Sequence, residues 1–400
     1  MLHLFVNEFA RRVHFRRNNL KERETVPSQK RAPRGFLLSM LVLFLAGCTT
    51  TSNSPTTFVA SENLDEMVIP MLEVAPSELP PRLSGKLTVY GETPIFEEGS
   101  ADSWDKSLVF PGAVFFHGGL YHMFYNGLTI ERGISGGGIG YAISADGVAW
   151  YRMADEPLFD FDETIGEDDW LQVNTALIEE DGRWVLYMTS QARGITEALP
   201  TIYRATAPAP NGPWTFDDIP MLEPGETGEW DAYGVNTPTV VKTEKGYLMY
   251  YLNSRFDNRR GISAIGMATS ADGIVWKKYN DPVTEERFSA SDPVFIYESE
   301  GEFANFYSIQ DYSVWQDTTG FSMLYSIGRN NGGDIQYMTS EDGLVWEPAP
   351  ADEVVLALDD VAFLDYAMAY KVLYVNQEYS LYFYGGLSGF GDIYLAKVTE

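Results

Sequence analysis

A twelve-residue element that recurs three times limits what this chain can fold into more than any other feature. Ile139–Trp150 reads IGYAISADGVAW, Ile265–Trp276 reads IGMATSADGIVW and Ile335–Trp346 reads IQYMTSEDGLVW. A degenerate copy, Tyr203-Arg204-Ala205-Thr206 through Gly212-Pro213-Trp214, fills the long gap, and the four tryptophans stand 64, 62 and 70 residues apart. Each copy reads as strand, Asp-Gly turn, strand, which is a hairpin signal. The Ser or Thr hydroxyl and the Asp carboxylate suit turn amides, and the Trp suits a blade edge. This is a structural reading of the motif.

A second element precedes each hairpin: Tyr121–Tyr125, Trp184–Met188, Tyr247–Tyr251, Phe321–Tyr325 and Tyr379–Phe383, at intervals of 63, 63, 74 and 58. Strands of small residues run before most of these, as in Phe110–Val114, Val173–Leu177, Val235–Thr239 and Tyr312–Val314. Small side chains suit the crowded inner strand of a ring. Each unit is therefore four antiparallel strands, A to D, and the five units make an all-β, five-bladed β-propeller over residues 85–400. The fifth unit stops at Ile393–Val398 without a D strand. Val89–Phe96 mirrors Tyr151–Phe159 and is expected to supply it, closing the ring and removing free sheet edges. No long apolar stripe of period 3.6 follows residue 60, so helix is expected to be scarce.

The first 84 residues follow other rules. Arg31 and Arg34 precede the apolar run Phe36–Leu45, which ends at Ala46-Gly47-Cys48. The run is shorter than the ~20 residues needed to cross a bilayer. A basic flank, a short apolar core and small residues before a cut site describe an export signal over 1–47. Leu45-Ala46-Gly47-Cys48 resembles the lipobox of bacterial lipoproteins, which implies cleavage before Cys48, the only cysteine, and lipidation of its thiol. Residues 48–84, rich in Ser, Thr, Pro and Glu, read as a flexible tether. The expected location is the cell envelope, with the outer membrane favoured in a diderm host because Thr49 is not Asp. Nine Lys and Arg against three Asp and Glu in residues 1–47 carry +6, so the net −29 of the whole chain becomes about −35 beyond them. Such a surface repels nucleic acid and anionic lipid, leaving a lipid anchor as the only membrane contact and neutral ligands as the better fit.

Blade topology places the A-strand starts and the B–C loops on one face, the entrance, and the Asp-Gly hairpins on the other. Acidic residues collect at the entrances: Trp104-Asp105, Asp169-Trp170, Glu229-Trp230-Asp231, Asp311 and Asp365. Arg193, Arg255 and Arg329 fall in B–C loops, with Arg132 as the first-blade counterpart. Carboxylates opposite arginines in a funnel suit sugar hydroxyls or acid–base chemistry. The alternative is that Trp-Asp recurs because blade packing recurs. Four histidines, none at ligand spacing, give metal chemistry no support. No cofactor is required, although the acidic axis would accommodate a structural Ca²⁺ or Na⁺.

Trp-Asp, a Val-x-x-Pro strand, Tyr-x-Met-x-Tyr and Ile-Gly-x-Ala-x-Ser-x-Asp-Gly-x-x-Trp together resemble the five-bladed glycosidase superfamily. That group holds the arabinanases and xylosidases of glycoside hydrolase family 43, the invertases and levansucrases, and the mannoside phosphorylases. The resemblance implies a monomeric glycosidase acting on an extracellular or periplasmic oligo- or polysaccharide. It also implies an Asp, an Asp and a Glu at the first three A-strand starts, where the nearest residues here are Phe110, Asn174 and Asn236. The expectation is that the carboxylates lie a few residues upstream. Asp105 would then be base or nucleophile, Asp231 (or Glu229) the acid, and Asp169 the tuning group. Trp104, Arg193, Glu229, Trp230, Arg255, Asp311, Arg329 and Asp365 would bind substrate. A glycan-binding lipoprotein without catalysis is the alternative.

Overall fold

The computed structural model describes residues 79–399 apart from 132–133, 161–168, 193–198, 254–261, 299–307, 329–334, 349–354, 357–360, 362, 365 and 388–389. The proposed export signal, Cys48 and all but the last few residues of the tether lie outside that set, as do Arg132, Arg193, Arg255, Arg329 and Asp365.

Five antiparallel sheets make up the fold, and the described residues contain no α-helix, only a 3₁₀ turn at Glu286–Phe288. Inner strands Leu108–His117, Asp169–Ile178, Asn236–Thr243, Ser308–Asp317 and Tyr366–Val375 open blades 1 to 5. Each packs on the next and the fifth packs on the first, so the ring is closed. Every inner strand carries a β-bulge, between Pro111 and Ala113, Val173 and Thr175, Asn236 and Thr239, Ile309 and Asp311, and Met368 and Lys371. A bulge bends a strand and sharpens its twist, which five sheets need to converge on one axis.

The D strand is split in every blade. In blade 1, Trp150–Arg152 pairs with one end of strand C and Phe159 with Ile139 at the other. Blade 5 repeats this with residues from the N-terminal side: Lys86–Val89 pairs with Ala396–Thr399, and Phe96 bridges to Ile393. The closing strand is thus displaced from the expected Val89–Phe96. Only its two ends pair, and the chain between them leaves the sheet.

The hairpin motif is an inter-blade latch. Ser144, Ser270 and Ser340 each accept the amide of the turn glycine three residues on, at 2.9 Å, while Asp146, Asp272 and Asp342 each accept two further amides at 2.8–3.0 Å. Those bonds hold all three carboxyls below the usual pKa. The glycine carbonyl left outside accepts a phenol from the preceding blade: Tyr382 to Gly147 (3.0 Å), Tyr187 to Gly273 (2.7 Å) and Tyr250 to Gly343 (3.0 Å). Each motif Trp packs edge-on against the same tyrosine at 5.8–5.9 Å. The glycines have φ of +75°, +71° and +81°, and a Cβ there would stand 2.5–2.7 Å from the phenol oxygen. The tyrosine occupies the fourth position of the B-strand element only where the next blade carries the motif. Blade 1, followed by the degenerate copy, has Phe124 there against Trp214, and blade 4, followed by the borrowed D strand, has Leu324.

Candidate functional site

Two of the described entrance-face carboxylates belong to a repeated unit, while Asp311, Glu98 and Asp392 stand outside it. Asp105 and Asp231 repeat. Each follows a tryptophan that stacks on the fifth residue of its own blade's B element, Trp104 on Tyr125 at 5.6 Å and Trp230 on Tyr251 at 5.7 Å. Each carboxylate is fully buried and paired with a cation on its own D strand, Arg152 at 2.9 Å and Lys278 at 2.5 Å. The loop before each turns tightly over the carboxylate, and a Cβ on Gly99 or Gly225 would strike Asp105 or Asp231. Gly140 and Gly266 make room for the two tyrosine rings.

Two such units, in blades 1 and 3, have one construction and one burial. The expected roles of Asp105 and Asp231 as the glycosidic pair are not what this geometry favours, because each carboxylate is fully buried and paired with a cation of its own blade. Their cations neutralise them inside the blade. Trp230 is likewise fully buried, its indole donating to Ser291 at 2.9 Å, whereas Trp104 is half-buried. Glu229 takes the place held by Ser103 in blade 1. It accepts the Ser289 hydroxyl at 3.0 Å, with its second oxygen buried and unpartnered. Asp169 and Trp170 lie on the second inner strand opposite Ala192 and Gln191; their side chains fall outside the described residues.

Asp311 does not repeat. The B-strand partners Asn126, Thr189, Leu252, Ser326 and Tyr384 define one level near the entrance, and the inner-strand residues opposite them are Phe110, Gln172, Asn236, Asp311 and Met368. Gln172, not Asn174, stands at this level in blade 2; Asn174 sits in the bulge and accepts the Thr189 hydroxyl at 2.9 Å. One carboxylate therefore occurs at the level where the resemblance implied three, and it lies in the fourth blade. In blades 1, 2, 3 and 5 the bulge follows this level, whereas in blade 4 it precedes Asp311. A bulge so placed re-aims the side chain. The Asp311 carboxylate accepts the Tyr312 amide at 2.7 Å and the amide of Ala369 from blade 5. Burial raises its pKa, opposed by the ammonium of Lys371 and by those two amides. Burial in turn lowers the pKa of Lys371.

Glu98 and Asp392 form the other unrepeated group, at the seam of blades 5 and 1. Reciprocal bonds between Phe96 and Ile393 fix the two chains side by side, and Asp392 accepts the Glu98 amide at 2.7 Å. Burial and then the Asp392 charge raise the pKa of Glu98; burial raises that of Asp392, opposed by the Glu98 amide and reinforced by Glu97. The corresponding residues of the blade 2–3 seam are Pro224 and Thr201, aligned by the Ile202–Leu222 bridge. Sequence reading missed this pair because its partners stand 294 residues apart. No group of three or more metal-ligating side chains occurs among the described residues.

No family profile matches the chain, and no curated protein matches it in sequence. Solved structures do match in shape. One is from a report that the GH130 family of mannoside phosphorylases contains glycoside hydrolases targeting β-1,2 mannosidic linkages in Candida mannan. It is 17% identical, covers 80% of this chain and 95% of its own, and has a TM-score of 0.54. A glycosyl hydrolase from Bacteroides ovatus is 15% identical over 80% and 99% of the two chains, with a TM-score of 0.56. A family 117 glycoside hydrolase from Zobellia galactanivorans is 15% identical over 78% and 90%, with a TM-score of 0.55. At these identities the likeness shows the five-bladed fold.

Proposed function

We propose that the chain acts on an oligo- or polysaccharide at the entrance face, as a glycoside hydrolase-like protein exported and held at the cell envelope through lipidated Cys48. The observation that carries this reading is Asp311. It is the one carboxylate at the entrance level of the inner ring, turned by its own bulge, held by two amides, and disposed by burial to keep its proton. A carboxyl of that kind suits a general acid for the leaving oxygen of a glycosidic bond. Glu98 and Asp392 are the candidates for the second carboxylate that such cleavage requires. The solved glycoside hydrolases of the same fold support carbohydrate as the ligand class.

Purified protein would be incubated with a panel of neutral oligosaccharides and released sugar followed by chromatography. Asp311→Asn should abolish release while leaving the glycan affinity of the folded protein near wild type; wild-type turnover in that variant would sink the assignment. A second reading is favoured by the burial of Asp105 and Asp231, which leaves a single carboxylate at the entrance level of the inner strands: a glycan-binding lipoprotein without catalysis. Saturable glycan binding with no released sugar would establish it.

A further inference from the structure

The chain joins the ring on the exit face, the side of the Asp-Gly hairpins, opposite the entrance. Thr318, in the turn between the first two strands of blade 4, donates its amide to the Pro80 carbonyl at 2.9 Å. The Tyr379 phenol, at the start of the second strand of blade 5, donates to the Pro81 carbonyl at 2.7 Å and accepts the Trp315 indole at 3.0 Å. Arg82 stands 4.0 Å from the buried carboxylate of Asp317, at the end of the inner strand of blade 4, and Leu83 is buried. Lys86 then pairs with Thr399, and from there the closing segment runs toward the Phe96–Ile393 bridge near the entrance. These contacts pin Pro80–Leu83 across the seam of blades 4 and 5, at the level of the exit-face turns. Toward the N-terminus, therefore, the chain leaves the ring from the exit face. Ile274, Val275 and Val345, the apolar tips of the hairpins in blades 3 and 4, are exposed on that same face.

We propose that the protein stands on its anchoring membrane exit face first, with the entrance face turned to the medium. The site then takes a glycan that arrives from the medium, not one linked to lipid in the anchoring leaflet. The inference rests on the reading of Cys48 as the lipidated residue. Residues 48–78, 31 in number, separate the described chain from that anchor, Cys48 included. A flexible chain of that length spans about 30 Å r.m.s.. Four of the five inner strands have ten residues. At ~3.3 Å per residue the ring is about 30 Å tall. With the exit face down, such a chain reaches lipid within its relaxed span. With the entrance face down, it has to cover the height of the ring outside the blades before it reaches lipid, and stretching it past its relaxed span costs conformational entropy. The acidic surface opposes adhesion to anionic lipid, so the point of attachment sets the orientation. The small apolar tips ease the approach of that face to lipid.

The full chain, expressed in a bacterium and inserted into preformed phosphatidylcholine vesicles, tests this by energy transfer. Lipidation consumes the Cys48 thiol, the only one in the chain, so a donor dye reacts with an introduced cysteine alone. Val275→Cys and Val345→Cys mark the exit face. Leu199→Cys, in the loop before the third strand of blade 2, and Tyr233→Cys, just before the inner strand of blade 3, mark the entrance side; all four positions are exposed. Transfer to an acceptor dye on the lipid headgroups should place the two exit donors closer to the lipid plane than the two entrance donors by about 30 Å, the height of the ring. Equal or reversed distances, in protein whose acylated Cys48 is confirmed by mass spectrometry, overturn the orientation and leave the anchor reading intact. An unacylated Cys48 overturns the anchor reading and the orientation with it.

Discussion

The latch between blades 2 and 3 can be taken apart by a double-mutant cycle on Tyr187 and Gly273. Tyr187→Phe removes a buried phenol that donates at 2.7 Å to the Gly273 carbonyl. Leaving such a carbonyl without its donor costs about 1–3 kcal/mol. Gly273→Ala places a Cβ at φ +71°, which costs about 1–2 kcal/mol in backbone terms alone. The same Cβ would stand 2.7 Å from the Tyr187 oxygen, so the phenol must swing away and its hydrogen bond is lost as well. The alanine variant should therefore lose about 2–4 kcal/mol. In the phenylalanine background that second loss has already occurred and the oxygen that clashes is gone. The double variant should be more stable than the sum of the singles predicts by about 1 kcal/mol. Urea denaturation followed by fluorescence and by far-UV circular dichroism gives each free energy, with m expected to stay constant. Additivity within about 0.5 kcal/mol would show that the two residues do not act through one contact, and the latch would be refuted.

Asp231→Asn should strand the Lys278 ammonium, which is mostly buried, and cost about 3–5 kcal/mol in denaturation, while turnover per folded molecule on any confirmed glycan is retained; a specific loss of turnover at wild-type stability would restore Asp231 to the site. His122, buried between the Tyr141 hydroxyl at 2.6 Å and the His117 carbonyl at 3.0 Å, has its pKa pushed down to about 4, chiefly by burial. The unfolded chain binds this proton first, near pH 6.5. Stability should thus be fully present above that pH and fall by about 3 kcal/mol as pH drops toward 4. Urea midpoints at pH 7, 5.5 and 4.5 should show that slope in wild type and a flatter one in His122→Gln.

The ring was legible because what builds it recurs. Five B-strand elements, three Asp-Gly hairpins and a missing last strand were enough to count blades and find the closure. The closing strand was misplaced by a few residues because a split D strand has no signature of its own between its two paired ends. The same logic, applied further, would have corrected the site. Trp-Asp precedes the inner strand in blades 1 and 3, and in those two blades a cation stands two residues past the hairpin Trp: Arg152 after Trp150, Lys278 after Trp276. Blade 4, with no Trp-Asp, has Pro348 after Trp346. That coincidence marks Asp105 and Asp231 as halves of a repeated ion pair, 47 residues from their partners in both cases. Asp311 is different in kind. Its significance depends on a bulge falling before it rather than after it, and no residue pattern announces where a bulge falls. In a molecule built by repetition, a residue that recurs with its neighbours is accounted for by the fold. The positions where one blade departs from the other four, Asp311, Lys371 and Glu98, are where selection for something other than closing the ring has to be sought.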